Sequence, residues 1–382
     1  MKENWTYKKL GEVVSITMGQ SPSSDTYNDS VGLPFFQGNA DFGKEHPNVR
    51  LFCNAPIRIA DVDDILISVR APIGAINVAD RKCCIGRGLA SLRGNANCHN
   101  RFILHFLKAN KDKLISQGTG STFKSIGKDA LYNLLIPVPS LPEQKRIVSE
   151  LDLLQSIIDK QQAQLKELDK LAQAVFYDMF GDPMENEKGW EVKKLGEVAC
   201  FKNGLNYSLN ETGEKYYIIG VSDFHSKSEI SCDSGLSTIY TNGTIDNGYI
   251  LQDNDILFVR SNGNKQLIAR NILVKTNKLD VTFSGFCIRA RIVNDTVSPL
   301  FVNFLLKLPS SHKALTMKGR GCNISNLNQT TLNDFPIILP PLSLQQSFAE
   351  KIESIEKQKS AISQSIAETQ KLFNYTMDKY FG

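Results

Sequence analysis

Histidine and tryptophan are the scarcest side chains, five and two in 382 residues, and the histidines are scattered. Neither a metal site nor a histidine-based nucleophile relay finds partners at workable spacing. The eight cysteines (53, 83, 84, 98, 200, 232, 287 and 322) include no CxxC pair. That spacing argues against a disulfide framework or structural zinc and for reduced thiols filling a core. No apolar run approaches the ~18 residues of a membrane span, and the opening MKENWTYKKL is no signal peptide. A soluble, cytoplasmic protein is expected.

Chemistry-bearing motifs are missing as well. GTGSTFKS at 118–125 places Phe123 where a phosphate loop needs glycine before the lysine. Its paired copy, GRGCNISN at 319–326, lacks the lysine, so both read as tight turns. No glycine fingerprint joins a strand to a helix, which leaves a dinucleotide or methyl donor without a cradle. No Asn- or Asp-Pro-Pro-aromatic tetrapeptide occurs, Asp182-Pro183-Met184 failing at its third residue. Carboxylates are not grouped with a lysine as a metal-dependent nuclease requires. The residues therefore point to a chain without catalysis, metal or cofactor of its own.

What the sequence does hold is length and repetition. Ser140-Leu141-Pro142-Glu143 has capping-box spacing with proline in the first turn. Ile147, Leu151, Leu154, Ile158, Leu165, Leu168, Ala172, Val175 and Met179 follow in steps of four and three, with Gln161 in the one gap. A period of 3.5 over this length predicts a helix from Leu141 to Phe180 with a coiled-coil seam. Gly181-Asp182-Pro183 supplies its stop. The last forty residues repeat the pattern 201 positions on: Phe348, Ile352, Ile355, Lys359, Ile362, Ile366, Thr369, Phe373, Thr376 and Tyr380. Ser343 and Gln346 stand at cap spacing, and Phe381-Gly382 matches Phe180-Gly181. Two equal rods in one chain bury their seams most simply on each other, each Leu or Ile contributing roughly 1.5–3 kcal/mol.

The segments before the rods are related too. WTYKKLGEV at 5–13 and WEVKKLGEV at 190–198 agree at seven of nine positions. Asp64-Ile65-Leu66 returns as Asp255-Ile256-Leu257. The chain thus reads as one module written twice, with boundaries at 1–140, 141–182, 183–335 and 336–382. Strands are expected at 13–17, 33–37, 64–70, 75–79 and 89–92, then at 216–221, 249–251, 255–260, 268–274 and 286–293. Helices are expected at 100–116 and 298–307. The fold class is α+β: two globular domains separated by two long helices in an antiparallel coiled coil, a pseudo-two-fold internal repeat. Net charge is +5 for residues 1–140, −3 for 141–182, +2 for 183–335 and zero for 336–382. The basic excess lies where a polyanion would be met, but it is small for gripping DNA unaided.

This layout closely resembles the specificity subunit of type I restriction–modification systems. The resemblance rests on W-x-x-K-K-L-G-E-V opening each unit, the DIL strands ending in Val-Arg, P-x-L-x-x-Q at Pro139–Gln144 and Pro340–Gln345, and rods ending in Phe-Gly. It implies two target-recognition domains, each reading one half of a split, asymmetric sequence in double-stranded DNA. It implies a coiled coil that sets the spacer and docks two methyltransferase subunits, with restriction subunits joining them. S-adenosylmethionine, ATP and Mg²⁺ would then be bound by the partner subunits.

Base-edge readers are sought among polar side chains on loops. In the first module these are Gln20, Ser21, Ser23, Gln37, Asn39 and Arg70, with Lys44, Arg87 and Lys124 for phosphates. In the second they are Lys202, Asn203, Asn206, Ser222, Asp223, Arg260, Asn262 and Asn264, with Lys265 and Arg320 for phosphates. Arg70 and Arg260 each end a strand that begins with an aspartate, so pairing with Asp64 and Asp255 is the competing expectation. Two rival functions differ in class: a coiled-coil scaffold carrying two protein-binding modules, and an enzyme with an unrecognised nuclease or methyltransferase site. Methylation that depends on this chain excludes the first, and inactivity of the isolated chain on DNA excludes the second.

Overall fold

The computed structural model describes residues 5–118, 125–208, 212–224, 229–232, 235–318, 322–323 and 326–382. The chain divides into two compact units, Met1–Ala163 with Ile362–Gly382, and Gln164–Ala361. Both long helices form, Leu141–Phe180 and Leu342–Phe381. Contacts group half of each helix with each unit.

In the first unit a four-stranded antiparallel sheet runs in the order Val14–Met18, Leu89–Gly94, Ile65–Ser68, Ile76–Val78. A mixed five-stranded sheet follows the order Tyr27–Asn28, Phe52–Cys53, Leu33–Phe36, Cys83–Ile85, Ile59–Ala60. Alternation along Ile65-Leu66-Ile67 joins two cores. Ile65 and Ile67 face the helix Asn100–Ala109, while Leu66 faces Phe36, Ala79 and Ile85. Thr6–Lys9 pairs antiparallel with Leu135–Val138, so the repeated opening motif closes the domain just ahead of the long helix.

The second unit repeats the plan. A five-stranded sheet runs Ala199–Asn203, Cys287–Ile292, Ile256–Val259, Asn271–Lys275, Glu229–Ser231, beside a three-stranded sheet of Ser237–Thr241, Glu214–Ile219 and Val281–Phe283. Glu191–Lys194 pairs with Pro336–Leu339 as its counterpart does. Asp63 and Asn254, 191 residues apart, both take left-handed backbone (φ 67° and 70°) just before the repeated aspartate. Asn and Asp bear that conformation better than other side chains.

Within each unit the long helices run antiparallel. In the first, Arg146 donates to Tyr380 Oη (2.9 Å) and Gln161 Nε2 to Ser365 Oγ (2.7 Å). In the second, Lys359 Nζ pairs with Asp169 (2.8 Å), and Phe348 meets Phe176 and Phe180 at 5.4 and 5.5 Å. Of the polar seam positions, the Gln161 amide nitrogen, Lys359 and Thr369 are thus partnered, Thr369 Oγ1 donating to Ser365 O at 2.8 Å, which lowers the cost of placing them there. Gln161 Oε1 is buried without a partner among the described residues. Ile147, Leu151, Ile158, Leu168, Phe348, Ile352 and Ile355 are buried, whereas Leu154, Leu165, Ile362 and Ile366 are half-buried.

The Phe-Gly ends are plugs. Phe381 packs on Phe102 and Phe106 at 5.1 and 6.0 Å, and Phe180 packs on Phe301 at 5.0 Å. Gly181 caps its helix with φ 77°, donating to Tyr177 O at 2.9 Å. The glutamine of P-x-L-x-x-Q fixes the other end. Gln144, buried, accepts from His99 N (2.8 Å) and donates to Asn97 O and Pro139 O (3.0 and 2.9 Å). Gln345 does the same with Ser298 N, Thr296 O and Pro340 O at 2.9, 3.2 and 2.8 Å. Each ties the start of a long helix to the start of a domain helix.

Several expectations are corrected. The helix at 100–116 is two, Asn100–Ala109 and Lys111–Ser116, broken where Asn110 Nδ2 bonds Phe106 O. Residues 249–251 are no strand, for Asn247–Tyr249 is a single 3₁₀ turn. Ser343 lies inside its helix, and Pro341 occupies the cap position instead. Val175 and Met179 are half-buried, and the 3.6-residue turn carries Phe176 and Phe180 into the core in their place. Cys200 is exposed, whereas Cys53, Cys83, Cys84, Cys98, Cys232 and Cys287 are buried. Burial pushes the Cys83 and Cys287 thiols up to about 12 and Cys84 and Cys98 to about 11, so these four stay protonated.

The first long helix is also held by charge. Asp152 accepts from Arg101 (2.7 and 2.9 Å) and from the buried His105 (2.8 Å). Partial burial opposes the carboxylate, but the His105 and Arg101 hydrogen bonds outweigh it and hold the pKa down to about 2. A folded pKa below the unfolded value of ~3.9 stabilises above that value and stops doing so as pH falls through about 2. Asp152→Asn is therefore expected to cost about 1–2 kcal/mol at neutral pH, after allowance for solvent screening. Urea titrations should show the gap to wild type closing between pH ~4 and ~2. A gap independent of pH refutes the pairing.

Candidate nucleic-acid interface

In the first unit four loops are stitched together by backbone hydrogen bonds. Gly19 N donates to Leu89 O (2.9 Å), Gln20 N to Ile85 O (3.0 Å), Gly86 N to Phe36 O (2.8 Å), Gly88 N to Gln37 O (3.1 Å) and Val69 N to Gly88 O (2.9 Å). Arg87 N adds a bond to Ser21 Oγ at 3.2 Å. The tight turn Gly86-Arg87-Gly88 is the hub. A Cβ on Gly88 would stand 2.3 Å from Gln37 O, so only glycine permits the approach. Gln20, Ser21, Gln37, Arg70 and Arg87 are thereby gathered at one end of the sheets.

Asp41 stiffens this edge, accepting from Gln37 N (2.6 Å) and Gly38 N (3.3 Å) and pairing with Arg50. Asn39 is half-buried at the start of the 3₁₀ turn Asn39–Asp41, and Ser23 is exposed. The guanidiniums of Arg70 and Arg87 are exposed and in no ion pair among the described residues. The exposed Lys44 pairs its ammonium with Asp159 of the long helix at 2.9 Å. Lys124 lies outside the described residues, as do 119–124 of the glycine-rich stretch.

The second unit builds the same edge. Gly204 N donates to Cys287 O (3.0 Å), Leu205 N to Phe283 O (2.8 Å), Ser284 N to Ile219 O (3.0 Å) and Arg260 N to Phe286 O (2.8 Å). Beside it lies a cleft of about 430 Å³ lined by Tyr207, Ser222, Asp223, Ser261, Asn262 and Phe286 among others. Ser222 is exposed, and so are Asn203, which ends its strand, and Asn206 just beyond it. Asn262 Oδ1 accepts from Asn264 N and Asn264 Oδ1 from Gln266 N, so both shape the loop that carries exposed Lys265. Asp223 is a staple, accepting from Gly220 N at 2.8 Å as Asp41 does in the first unit. Lys202 pairs with Asp246 (2.8 Å) and sits 4.0 Å from the centre of the Tyr249 ring. Arg320 lies outside the described residues.

The expected pairing of Arg70 and Arg260 with the repeated aspartates is wrong. Asp64 takes Arg93 and Ser91 Oγ (2.9 Å), and Asp255 takes Arg291 through two bonds of 2.7 Å. The two arginines are not even equivalent. Val69 bonds Gly88 O and Ile126 N, whereas Arg260 bonds Phe286 O and Leu327 N. Arg260 therefore stands in the place of Val69, because DILFVR is one residue shorter than DILISVR. Tyr207, Ser261 and Phe286 were missed as candidates. The one available signal was Gly285, since a glycine ahead of a strand start marks a turn whose next residue stands out.

A family model described as the type I restriction modification DNA specificity domain matches residues 2–170 and again 187–370. The chain belongs to that family. A putative type I restriction enzyme MjaX specificity subunit from Methanocaldococcus jannaschii is 41% identical over 172 residues, 44% of this chain and 40% of its own length. The StySPI specificity subunit from Salmonella potsdam is 27% identical over 295 residues, 72% of this chain and 62% of that protein. The chain thus spans about half the length of these curated relatives. A crystal structure of the type I restriction–modification S subunit from M. genitalium shares the fold, with TM-score 0.58 over 99% of this chain and 96% of that one at 14% identity. No three His, Cys, Asp or Glu side chains are grouped for a metal among the described residues of this specificity-family chain. Among the same residues no helix is long and apolar enough to cross a membrane.

Proposed function

We propose that the chain is the non-catalytic DNA-specificity subunit of a cytoplasmic type I restriction–modification complex. Each unit reads one half of a split, asymmetric sequence in double-stranded DNA, and the paired long helices set the spacer. One observation carries this reading: a single loop edge is built twice on matching hydrogen bonds, with different side chains displayed on it. Unlike side chains on like scaffolds suit unlike half-sites. The exposed Arg70 and Arg87 supply charge for the backbone and for guanine edges.

Two methyltransferase subunits dock on the repeat, with restriction subunits added in the full complex. Matched exposed apolar residues support two copies of one partner: Leu171 with Leu372, 201 residues apart, and Tyr7 with Val192, 185 apart. S-adenosylmethionine, ATP and Mg²⁺ are held by those subunits. Co-expression with the methyltransferase subunit, followed by methylome sequencing, is expected to show one bipartite modified sequence that vanishes when this chain is omitted. Modification that is unchanged without the chain defeats the proposal, and methyl transfer by the isolated chain defeats its non-catalytic part.

A further inference from the structure

We infer that Phe286 determines specificity in the second unit by seating against the 5-methyl group of a thymine in the half-site that unit reads. The inference deepens the DNA-reading function proposed above and rests on it. Phe286 is 62% exposed, at the tip of the turn Ser284-Gly285-Phe286. Its backbone leaves the ring little freedom to withdraw. Phe286 N donates to Ser284 Oγ (3.3 Å), its carbonyl accepts from Arg260 N (2.8 Å), and Gly285 N donates to Leu205 O (2.8 Å). A Cβ on Gly285 would lie 2.1 Å from Asn206 Oδ1, so the turn rests directly on its neighbour.

Burial does not explain the ring. The strand behind it is already filled by Cys287 and Ile288, both fully buried. In the first unit Gly88 occupies the position of Phe286, behind the exposed Arg87. The same turn therefore presents a cation in one unit and an apolar ring in the other. The cleft beside Phe286 offers hydroxyl and amide groups from Ser222, Ser261 and Asn262 and, among its described lining residues, no Lys or Arg. Phosphate is poorly served by such a lining, whereas a base edge is well served. In the major groove the only apolar group on a base edge is the thymine methyl, flanked by the O4 acceptor and the adenine amino group.

The test uses the full chain assembled with its methyltransferase subunits and duplexes carrying the sequence found by methylome mapping. Uracil, which lacks only the methyl, replaces each thymine in turn on both strands. One replacement is expected to weaken binding about three- to fivefold, the worth of a buried methyl group. Phe286→Ala should bind the thymine duplex correspondingly more weakly and lose the distinction between thymine and uracil at that position. The inference is overturned if no thymine is methyl-sensitive or if Phe286→Ala still distinguishes the two bases. It is equally overturned if Phe286→Ala keeps its DNA affinity but no longer assembles with the methyltransferase, which makes the ring a protein contact. A wild-type complex that prefers no sequence over a scrambled duplex refutes the proposed function itself, and this inference with it.

Discussion

Gln345→Ala is expected to destabilise the second unit by about 3 kcal/mol or more. The side chain is buried and satisfies three backbone groups, Ser298 N, Thr296 O and Pro340 O. Each buried group left unpaired costs about 1–3 kcal/mol, and water recovers only part of this. Gln345→Glu is expected to be no better, because its second carboxylate oxygen faces two carbonyl oxygens where an amide donated. The protein supplies its own reporters. Trp190 Nε1 bonds Phe180 O in the second unit, and Trp5 stacks 6.2 Å from Tyr380 in the first. Urea unfolding followed by Trp190 fluorescence in a Trp5→Phe background should show an early transition for both variants. Gln144→Ala should do the same to Trp5 in a Trp190→Phe background. A glutamate variant as stable as wild type shows that the donor half of the bridge is dispensable.

Lengthening both helices should change what the complex recognises rather than whether it folds. Seven residues inserted after Gln161 and seven ahead of Ser365, a hydrogen-bonded pair, preserve the seam pattern. They add ~10 Å of helix, about three base pairs at ~3.4 Å each. Methylome sequencing is expected to find the same two half-sequences about three base pairs further apart, with the parental site unmodified. Inserting into one helix alone puts the seams out of register and should abolish modification. An unchanged spacer with both insertions removes the long helices as the ruler.

Legibility followed how local each cause is. The long helices were plain because capping residues, 3.5-residue spacing and the Gly181 stop are all read within a few residues. The last turns of the first were misread because burial there is decided by Phe301 and Phe304, which draw in Phe176 and Phe180. P-x-L-x-x-Q was visible as a repeat, but its bridge to residues some 45 positions earlier in the chain was not. The loop residues divided most sharply. Gln20, Ser21, Gln37 and Arg87 were legible as polar groups on turns, and backbone bonds do gather them. Lys44 and Lys202 looked the same in sequence, and distant carboxylates claim both.

A duplicated sequence alone thus determined that there are two like modules, each ending in a forty-residue amphipathic helix, because periodicity and repetition are properties of the one-dimensional string. Tertiary structure decided which arginine meets which aspartate. It also decided that a one-residue deletion puts Arg260 where Val69 stands, and that one turn carries Arg87 in the first unit and Phe286 in the second. Those outcomes depend on side chains brought together from far along the chain, where a shift of one position moves a group to the opposite face of its strand.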